Sequence, residues 1–169
     1  MKTVLPIGTI TAILVVVALI LPNAMAANPS GIHAGRVRDI DFLGNHTQII
    51  ISGPAPTDDL VATVADDRLQ SLLQSAFLTG RTVQVSAKGV ITKVTLRSSL
   101  THCSTSGCVQ ELRCTTSCEA TIADRAGQAI TANRRALGIL LTAINKDIPV
   151  EELITDKNDQ IARVKVNIP

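Results

Sequence analysis

Two parts of this chain follow the same hydrophobic pattern, and this internal repetition limits the possible folds more than any other feature. Residues 37–42 (VRDIDF) are echoed by residues 109–114 (VQELRC), and residues 91–96 (ITKVTL) are echoed by residues 161–166 (IARVKV). The echoes keep their order at a spacing of about 70 residues, which is too long for a solenoid of short repeats. The pattern therefore predicts a small domain that occurs twice.

An amphipathic helix is predicted between the echoes in each half, over residues 68–78 and 134–145. Their apolar side chains recur three and four residues apart, so one face of each helix is buried. Asp66 or Asp67 is expected to cap the first helix, Gly80 to end it, and Asn133 to cap the second. The apolar residues on the two faces are Leu69, Leu72, Leu73, Ala76, Leu137, Leu140, Leu141 and Ile144.

Strands are predicted on both sides of each helix, because the flanking segments are rich in β-branched residues and are bounded by turn residues. Residues 149–155 lack this alternation, and we expect a helical turn there. In the first half the predicted strands cover residues 36–43, 48–51, 60–64, 82–85 and 90–96. In the second half they cover residues 112–114, 120–123, 128–132 and 161–168.

The predicted fold class is mainly β with two helices (α+β). Three strands, a helix and two strands per half is the order of an oligonucleotide/oligosaccharide-binding (OB) barrel, in which the helix separates the third and fourth strands. We therefore predict two tandem OB-like units. The predicted divisions are a signal peptide at residues 1–26, a flexible leader at 27–34, a first unit at 35–98, a Ser/Thr/Cys linker at 99–108 and a second unit at 109–169.

The helix of the first half and the strands after it resemble part of small secreted OB-type barrel domains, such as the cell-binding B subunits of bacterial toxins. The resemblance is carried by the apolar helix face, by Thr79, Gly80 and Arg81 after it, and by the apolar positions of residues 83–85 and 91–96. These are packing residues, so the resemblance implies a fold and no functional residue. Such B subunits carry one barrel per chain and form rings, whereas this chain carries two predicted barrels.

The first 26 residues have the layout of a secretory signal peptide. Lys2 precedes an apolar run, Pro22 ends it, and residues 24–26 (AMA) form a cleavage site after Ala26. The alternative is an uncleaved membrane anchor, because the run approaches the ~20 residues that span a bilayer. We predict cleavage, and hence a periplasmic or secreted protein that has no membrane segment after processing.

Charge and aromatic content argue against a nucleic-acid partner. The 16 basic and 14 acidic residues nearly balance and form no basic cluster, which binding to phosphates requires. The chain has no Trp or Tyr, and its two aromatic residues, Phe42 and Phe77, fall on apolar faces and are predicted to be core. Stacking platforms for single-stranded nucleic acids are therefore missing from the sequence.

Four cysteines in an exported chain predict two disulfides. Three pairings are possible, and we favour local bridges, Cys103–Cys108 across a turn and Cys114–Cys118 across a hairpin. The alternative is a zinc site that uses these cysteines and His102, but their spacing lacks the Cys-x-x-Cys pairs of zinc knuckles.

No catalytic motif is found, and His33, His46 and His102 fall in predicted loops. We therefore expect a non-enzymatic binding or interaction module without a cofactor. Its predicted partner is a protein or a cell-surface component, and self-association stays open. The alternatives are an exported metal-binding protein that uses the cysteine cluster and, least favoured, a periplasmic enzyme.

Overall fold

The computed structural model describes residues 30–98, 103, 106–125 and 129–167. The signal-peptide prediction and His102 lie outside these residues. The described chain is mainly β with two helices, as predicted. The first unit consists of β1 (Ser30–Leu43), β2 (His46–Ile51), β3 (Leu60–Val64), α1 (Asp67–Thr79), β4 (Thr82–Lys88) and β5 (Val90–Arg97). The second unit consists of β6 (Val109–Cys114), β7 (Cys118–Ile122), β8 (Ile130–Ala132), α2 (Arg134–Lys146), β9 (Val150–Thr155) and β10 (Ile161–Val166).

The five strands of the first unit close on themselves. They are hydrogen-bonded in the order β3-β2-β1-β4-β5, and one parallel bridge between Thr63 and Val90 joins β3 to β5. The alternate residues of β2 and β3 point inward, so Ile49, Ile51 and Leu60 are at most 2% exposed. Helix α1 packs its buried leucines, Leu72 among them, against β1 and β5.

The second unit repeats these connections with fewer hydrogen bonds. Strands β6, β7 and β8 continue the large sheet, and β9 pairs with β10 in a separate two-stranded sheet. A parallel bridge between Thr131 and Gln160 connects β8 to the start of β10, and Val150 N donates to Gly107 O (2.8 Å) at the start of β6. One hydrogen bond therefore links β9 to the residues just before β6, and one bridge links β8 to the residue just before β10.

The two units join through strands β5 and β6, which pair antiparallel from Val94 opposite Cys114 to Arg97 opposite Glu111. Leu96 and Leu112 face each other in this junction and are completely buried. Helices α1 and α2 lie side by side, and Asn145 Nδ2 donates a hydrogen bond to Ser75 Oγ. The hydrophobic cores of the two units are consequently continuous.

An arginine reinforces the junction beside the helices. The Arg81 guanidinium forms an ion pair with Asp147 (2.9 Å) and donates to the backbone oxygen of Asn145 (3.3 Å). Asp147 ends α2 in the left-handed conformation (φ 52°), and Ser98 Oγ lies 3.4 Å from its carboxylate. The Arg81 side chain is only 16% exposed, so solvent screens this ion pair less than the surface pairs.

The structure corrects three expectations from the sequence. Residues 149–155 were expected to form a helical turn, but Val150–Thr155 is a strand because pairing with β10 outweighs the irregular pattern. Residues 30–34, expected to be a flexible leader, belong to β1 because β4 supplies hydrogen-bonding partners. Phe42 and Phe77, expected to be core, are 63% and 43% exposed, because each lies at the margin of an apolar face.

The helix caps follow the sequence prediction. Asp66 Oδ1 accepts hydrogen bonds from the backbone N–H groups of Arg68 (2.8 Å) and Leu69 (3.3 Å), and Gly80 ends α1 at φ 64°. Asn133 caps α2 by accepting from Ala136 N (2.9 Å). The two caps differ in charge, which makes one of them sensitive to pH.

We expect Asp66→Asn to lower the free energy of unfolding near neutral pH but not in acid. The Arg68 guanidinium, which donates to the carboxylate, and two backbone N–H groups hold the pKa of Asp66 below its ordinary value of 3.8, although burial opposes them. A carboxyl with a lowered pKa stabilises the fold above its unfolded pKa, and this contribution is lost as the pH falls through the folded pKa. Urea unfolding from about pH 7 to about pH 2 measures the difference.

The control for this prediction is Asn133→Ala, which removes an uncharged cap. We expect it to cost about 1 kcal/mol at every pH at which the protein is folded. If the difference between Asp66→Asn and wild type stays constant across the pH range, the charge of Asp66 is not responsible.

Candidate binding groove on the first unit

The predicted cysteine pairs are both disulfides. Cys103–Cys108 has a Cα–Cα distance of 5.3 Å, and Cys114–Cys118 one of 4.1 Å. These four sulfurs are not thiolates, so they do not supply the ligands that the zinc alternative requires. Within residues 30–98, 103, 106–125 and 129–167, no group of three or more His, Cys, Asp or Glu side chains is placed to hold a metal ion. The cysteines therefore brace the linker and the β6–β7 hairpin.

An open groove of about 800 Å³ lies between the first residues of β1 and the connection from β2 to β3. It exists because β1 is long: its residues 30–36 pair with β4, and only residues from 37 onward pair with β2. The connection, residues 52–59, then forms the opposite wall. The residues that line the groove include Ile32, His33, Ile51, Pro54, Pro56 and Asp58.

Hydrogen bonds hold the wall of the groove in place. Asp59 Oδ1 accepts from Gly53 N (3.1 Å), and its other oxygen forms an ion pair with Arg38 of β1. Ser52 N donates to Arg36 O (2.9 Å). Gly35 lies so close to this wall that a Cβ atom there would stand 1.8 Å from Ser52 O. Only glycine permits this approach of the two backbones, so the groove is shaped before any ligand arrives.

The groove has both apolar and polar lining residues, and one polar atom of a lining residue lacks a partner. Ile32 is 69% exposed, although a large aliphatic side chain gains free energy by leaving water. His33 Nε2 is buried and has no hydrogen-bond partner among the described residues. An unsatisfied buried polar atom costs about 1–3 kcal/mol, so His33 is held here at the expense of stability.

Ser52, His33 and two aspartates line the same groove, but they do not form a catalytic triad. Ser52 Oγ accepts from Arg36 N (3.0 Å) and donates to Arg36 O (3.2 Å), so its hydroxyl is engaged by the backbone. Asp59 is engaged by Arg38 and by Gly53 N. A serine nucleophile needs a hydrogen bond to its base, and a third group must orient that base. The hydrogen bonds made by Ser52 and Asp59 serve the loop instead.

The corresponding pocket of the second unit has a smaller volume. A pocket of about 310 Å³ lies beside Gly107, Asp124 and Val150. Asp124 accepts hydrogen bonds from Ser106 Oγ (2.8 Å) and Gly107 N (3.1 Å), which lower the pKa of its carboxyl and hold the linker against the barrel. Among the described residues, β6 has six residues where β1 has fourteen, so it builds less of the other wall. The larger groove therefore belongs to the first unit.

Sequence reasoning missed this groove, because it assigned residues 27–34 to a leader and His33 to a solvated loop. The only local signal was Ile32, a large apolar residue in a polar stretch. His46 is also not in a loop: it begins β2, and its Nδ1 lies 3.1 Å from Asn45 Oδ1. Pairing between β1 and β4, about 50 residues apart, creates the groove, and local pattern does not report such pairing.

Comparison with protein-family models gives no match. Comparison with curated protein sequences gives none, and comparison with solved structures gives none. No helix among the described residues is long and apolar enough to cross a membrane.

Proposed function

We propose that this chain is an exported, disulfide-stabilised binding module without enzymatic activity, built from two tandem OB-like units. Its partner is a protein or a cell-surface component that inserts an apolar group into the groove of the first unit. The observation that carries the proposal is the open groove of about 800 Å³, with the exposed side chain of Ile32 on its wall and Pro54 and Pro56 in the opposite connection. A groove with apolar surface of this kind is typical of binding sites.

The OB-like description is supported by the order of strands. A barrel in which the first strand pairs with the second and fourth, and the third meets the fifth in parallel, has the connectivity of this fold. The first unit has these pairings, and the bridge between Thr131 and Gln160 repeats the parallel contact in the second. Both units also carry a β-bulge at the same point of the first strand, at Arg38 and at Gln110.

Export is supported by the sequence of residues 1–26 and by the two disulfides. Disulfides persist in oxidising compartments and are rare in the cytosol. Cys114 and Cys118 are at most 1% exposed, so their bridge is part of the core of the second unit. Intact-mass analysis of the secreted protein, alkylated without reduction, tests this part: we expect a chain that begins near Ala27 with no alkylated cysteine.

The ligand that best fits the groove is an extended protein segment. Its apolar side chain would cover Ile32 and the two prolines of the connection between β2 and β3. A strongly anionic ligand fits poorly, because Asp58 is exposed at the rim and Asp59 stands beside it. Arg38, on β1, is already paired with Asp59.

Affinity capture from envelope or host-surface extracts tests this function with one variant and one control. Ile32→Asp places a charge on the apolar rim, and we expect it to abolish recovery of the partner. Ile154→Asp makes the same change at another exposed isoleucine, on β9, and should recover as much partner as wild type. If wild type recovers nothing specific, or if Ile32→Asp recovers the same partner, the proposal is wrong.

A further inference from the structure

The strand edges that form the contact between the two units each have a counterpart that has no strand partner among the described residues. Inside the chain, the last residues of β5 pair with the last residues of β6, and Val94, Leu96, Leu112 and Cys114 are buried there. The counterpart of β6 in the first unit is β1, and the counterpart of β5 in the second unit is β10. If both counterparts have open edges, the same contact can form between two chains.

Two β-bulges set the correspondence between residues. The bulge at Arg38 of β1 matches the bulge at Gln110 of β6, so Ile40 corresponds to Leu112. The second bulge falls between Lys93 and Ile91 in β5 and between Arg163 and Ile161 in β10. Val166 therefore corresponds to Leu96, the residue that faces Leu112 in the internal junction.

Both edges are open in the described part of the chain. From residue 37 onward β1 pairs only with β2, and β10 pairs only with β9 apart from the bridge before its first residue. Ile40 N donates to the carboxylate of Asp39 (2.8 Å) and not to a strand. A free strand edge presents a row of backbone donors and acceptors that pairs readily with another chain.

The side chains at these edges are more exposed than their counterparts in the junction. Leu96, Leu112 and Cys114 are completely buried. Ile40 and Val166 are only partly buried, and Phe42, which corresponds to Cys114, is 63% exposed. A contact like the internal one would cover these apolar groups, which lowers the free energy of the assembly.

The charges on the two edges are complementary in the internal register. Applied to the ends, that register places Val166 opposite Ile40, Lys165 opposite Asp41 and Val164 opposite Phe42. Opposed residues on antiparallel strands have Cβ atoms about 5 Å apart, so an opposite-charge pair there is favourable. Lys165 has an ion pair with Glu151 (3.0 Å) but remains 59% exposed and within reach of a second carboxylate.

The helices fit the same arrangement. In the junction, Asn145 near the end of α2 contacts Ser75 of α1. Counted from the first residue of each helix, Leu78 corresponds to Asn145 and Thr142 to Ser75. Leu78 is 81% exposed, so it is an apolar residue in water at the position where the junction has a contact.

We propose that copies of this chain associate head to tail, with β10 of one copy paired antiparallel to β1 of the next. The occupant of each open edge is therefore the opposite edge of a second copy. Such a heterologous contact leaves an edge free at each end of every open oligomer, so the assembly continues into a filament or closes into a ring. This inference is independent of the binding groove, which lies at the other end of β1.

Charge exchange tests the proposal in the disulfide-intact chain. We measure mass against concentration by sedimentation for wild type, Lys165→Asp and Asp41→Lys. We expect the average mass of wild type to rise with protein concentration. Each variant should associate at least about tenfold more weakly, because like charges then face each other. Lys157→Asp, in the exposed turn before β10, makes the same charge change away from the edge and should behave as wild type.

Mixing the two edge variants identifies the head-to-tail geometry. In an equimolar mixture each altered edge faces an opposite charge on the other variant, so association should return towards the wild-type level. Circular dichroism establishes that both variants are folded. A wild-type chain that stays monomeric up to about 1 mM overturns the proposal. So does a loss of association in only one of the two variants, or a mixture that fails to recover.

Discussion

Replacing Leu112 with alanine should lower the free energy of unfolding by about 2–5 kcal/mol, because it opens a cavity where the two units meet. Leu112 is completely buried and stands opposite Leu96, which is equally buried, on the paired strands β6 and β5. The surrounding strands are hydrogen-bonded on both sides of β6, so they cannot collapse into the space. Because the junction couples the units, we expect one unfolding transition at lower denaturant concentration.

The matched control is Ile40→Ala, the same kind of truncation at the corresponding position of β1. Ile40 is only partly buried in the single chain, so its truncation should cost about 1 kcal/mol. Urea unfolding followed by circular dichroism, at a protein concentration low enough to keep the chain monomeric, measures both values. Equal losses for the two variants would show that the β5–β6 junction contributes no more than an open edge does.

Gly107→Ala should lower the free energy of unfolding by about 2–4 kcal/mol, which is large for the addition of one methyl group. Gly107 has φ 78°, a conformation that residues with a Cβ atom avoid. A Cβ atom there would stand 2.3 Å from Val150 O, a backbone atom that cannot rotate away. The methyl group would also push apart the hydrogen bond from Val150 N to Gly107 O (2.8 Å), which connects β9 to the start of β6.

The control has the opposite expected sign. Gly138 lies inside α2, and a Cβ atom there meets no atom within 4 Å. Gly138→Ala should therefore raise the free energy of unfolding by about 0.5–1 kcal/mol, because alanine favours the helix. Thermal and urea unfolding of both variants provide the comparison. A Gly107→Ala variant as stable as wild type would mean that Val150 can move without cost, and that the second unit is not closed by this contact.

The elements of each unit were predictable because their signals are local. The spacing of the leucines predicted α1 and α2, and Asp66, Gly80 and Asn133 marked their ends through caps formed within a few residues. The repeated hydrophobic pattern predicted three strands, a helix and two strands twice. The exception, β9, failed because its residues alternate poorly and become a strand only through β10.

The candidate groove was not predictable, because distant pairing creates it. Nothing near Ile32 or His33 indicates that β4 will extend β1 through residues 30–36. The approach of Gly35 to Ser52 likewise depends on where the β2–β3 connection folds back. The positions of Phe42 and Phe77 failed for a related reason: an apolar periodicity shows which face a residue lies on, but not how far the neighbouring elements cover that face.

The sequence by itself determined the two helices, most of the strands and their order, and the short separation that lets Cys103 pair with Cys108 and Cys114 with Cys118. These properties depend on interactions between residues a few positions apart, so the local sequence is enough to specify them. Only the tertiary structure decided that β5 pairs with β6 and joins the units, that β1 and the β2–β3 connection enclose a groove, and that the ends of β1 and β10 have no second strand partner among the described residues. Strand pairing uses backbone groups that every residue carries, so the choice of partner depends on how both units pack together.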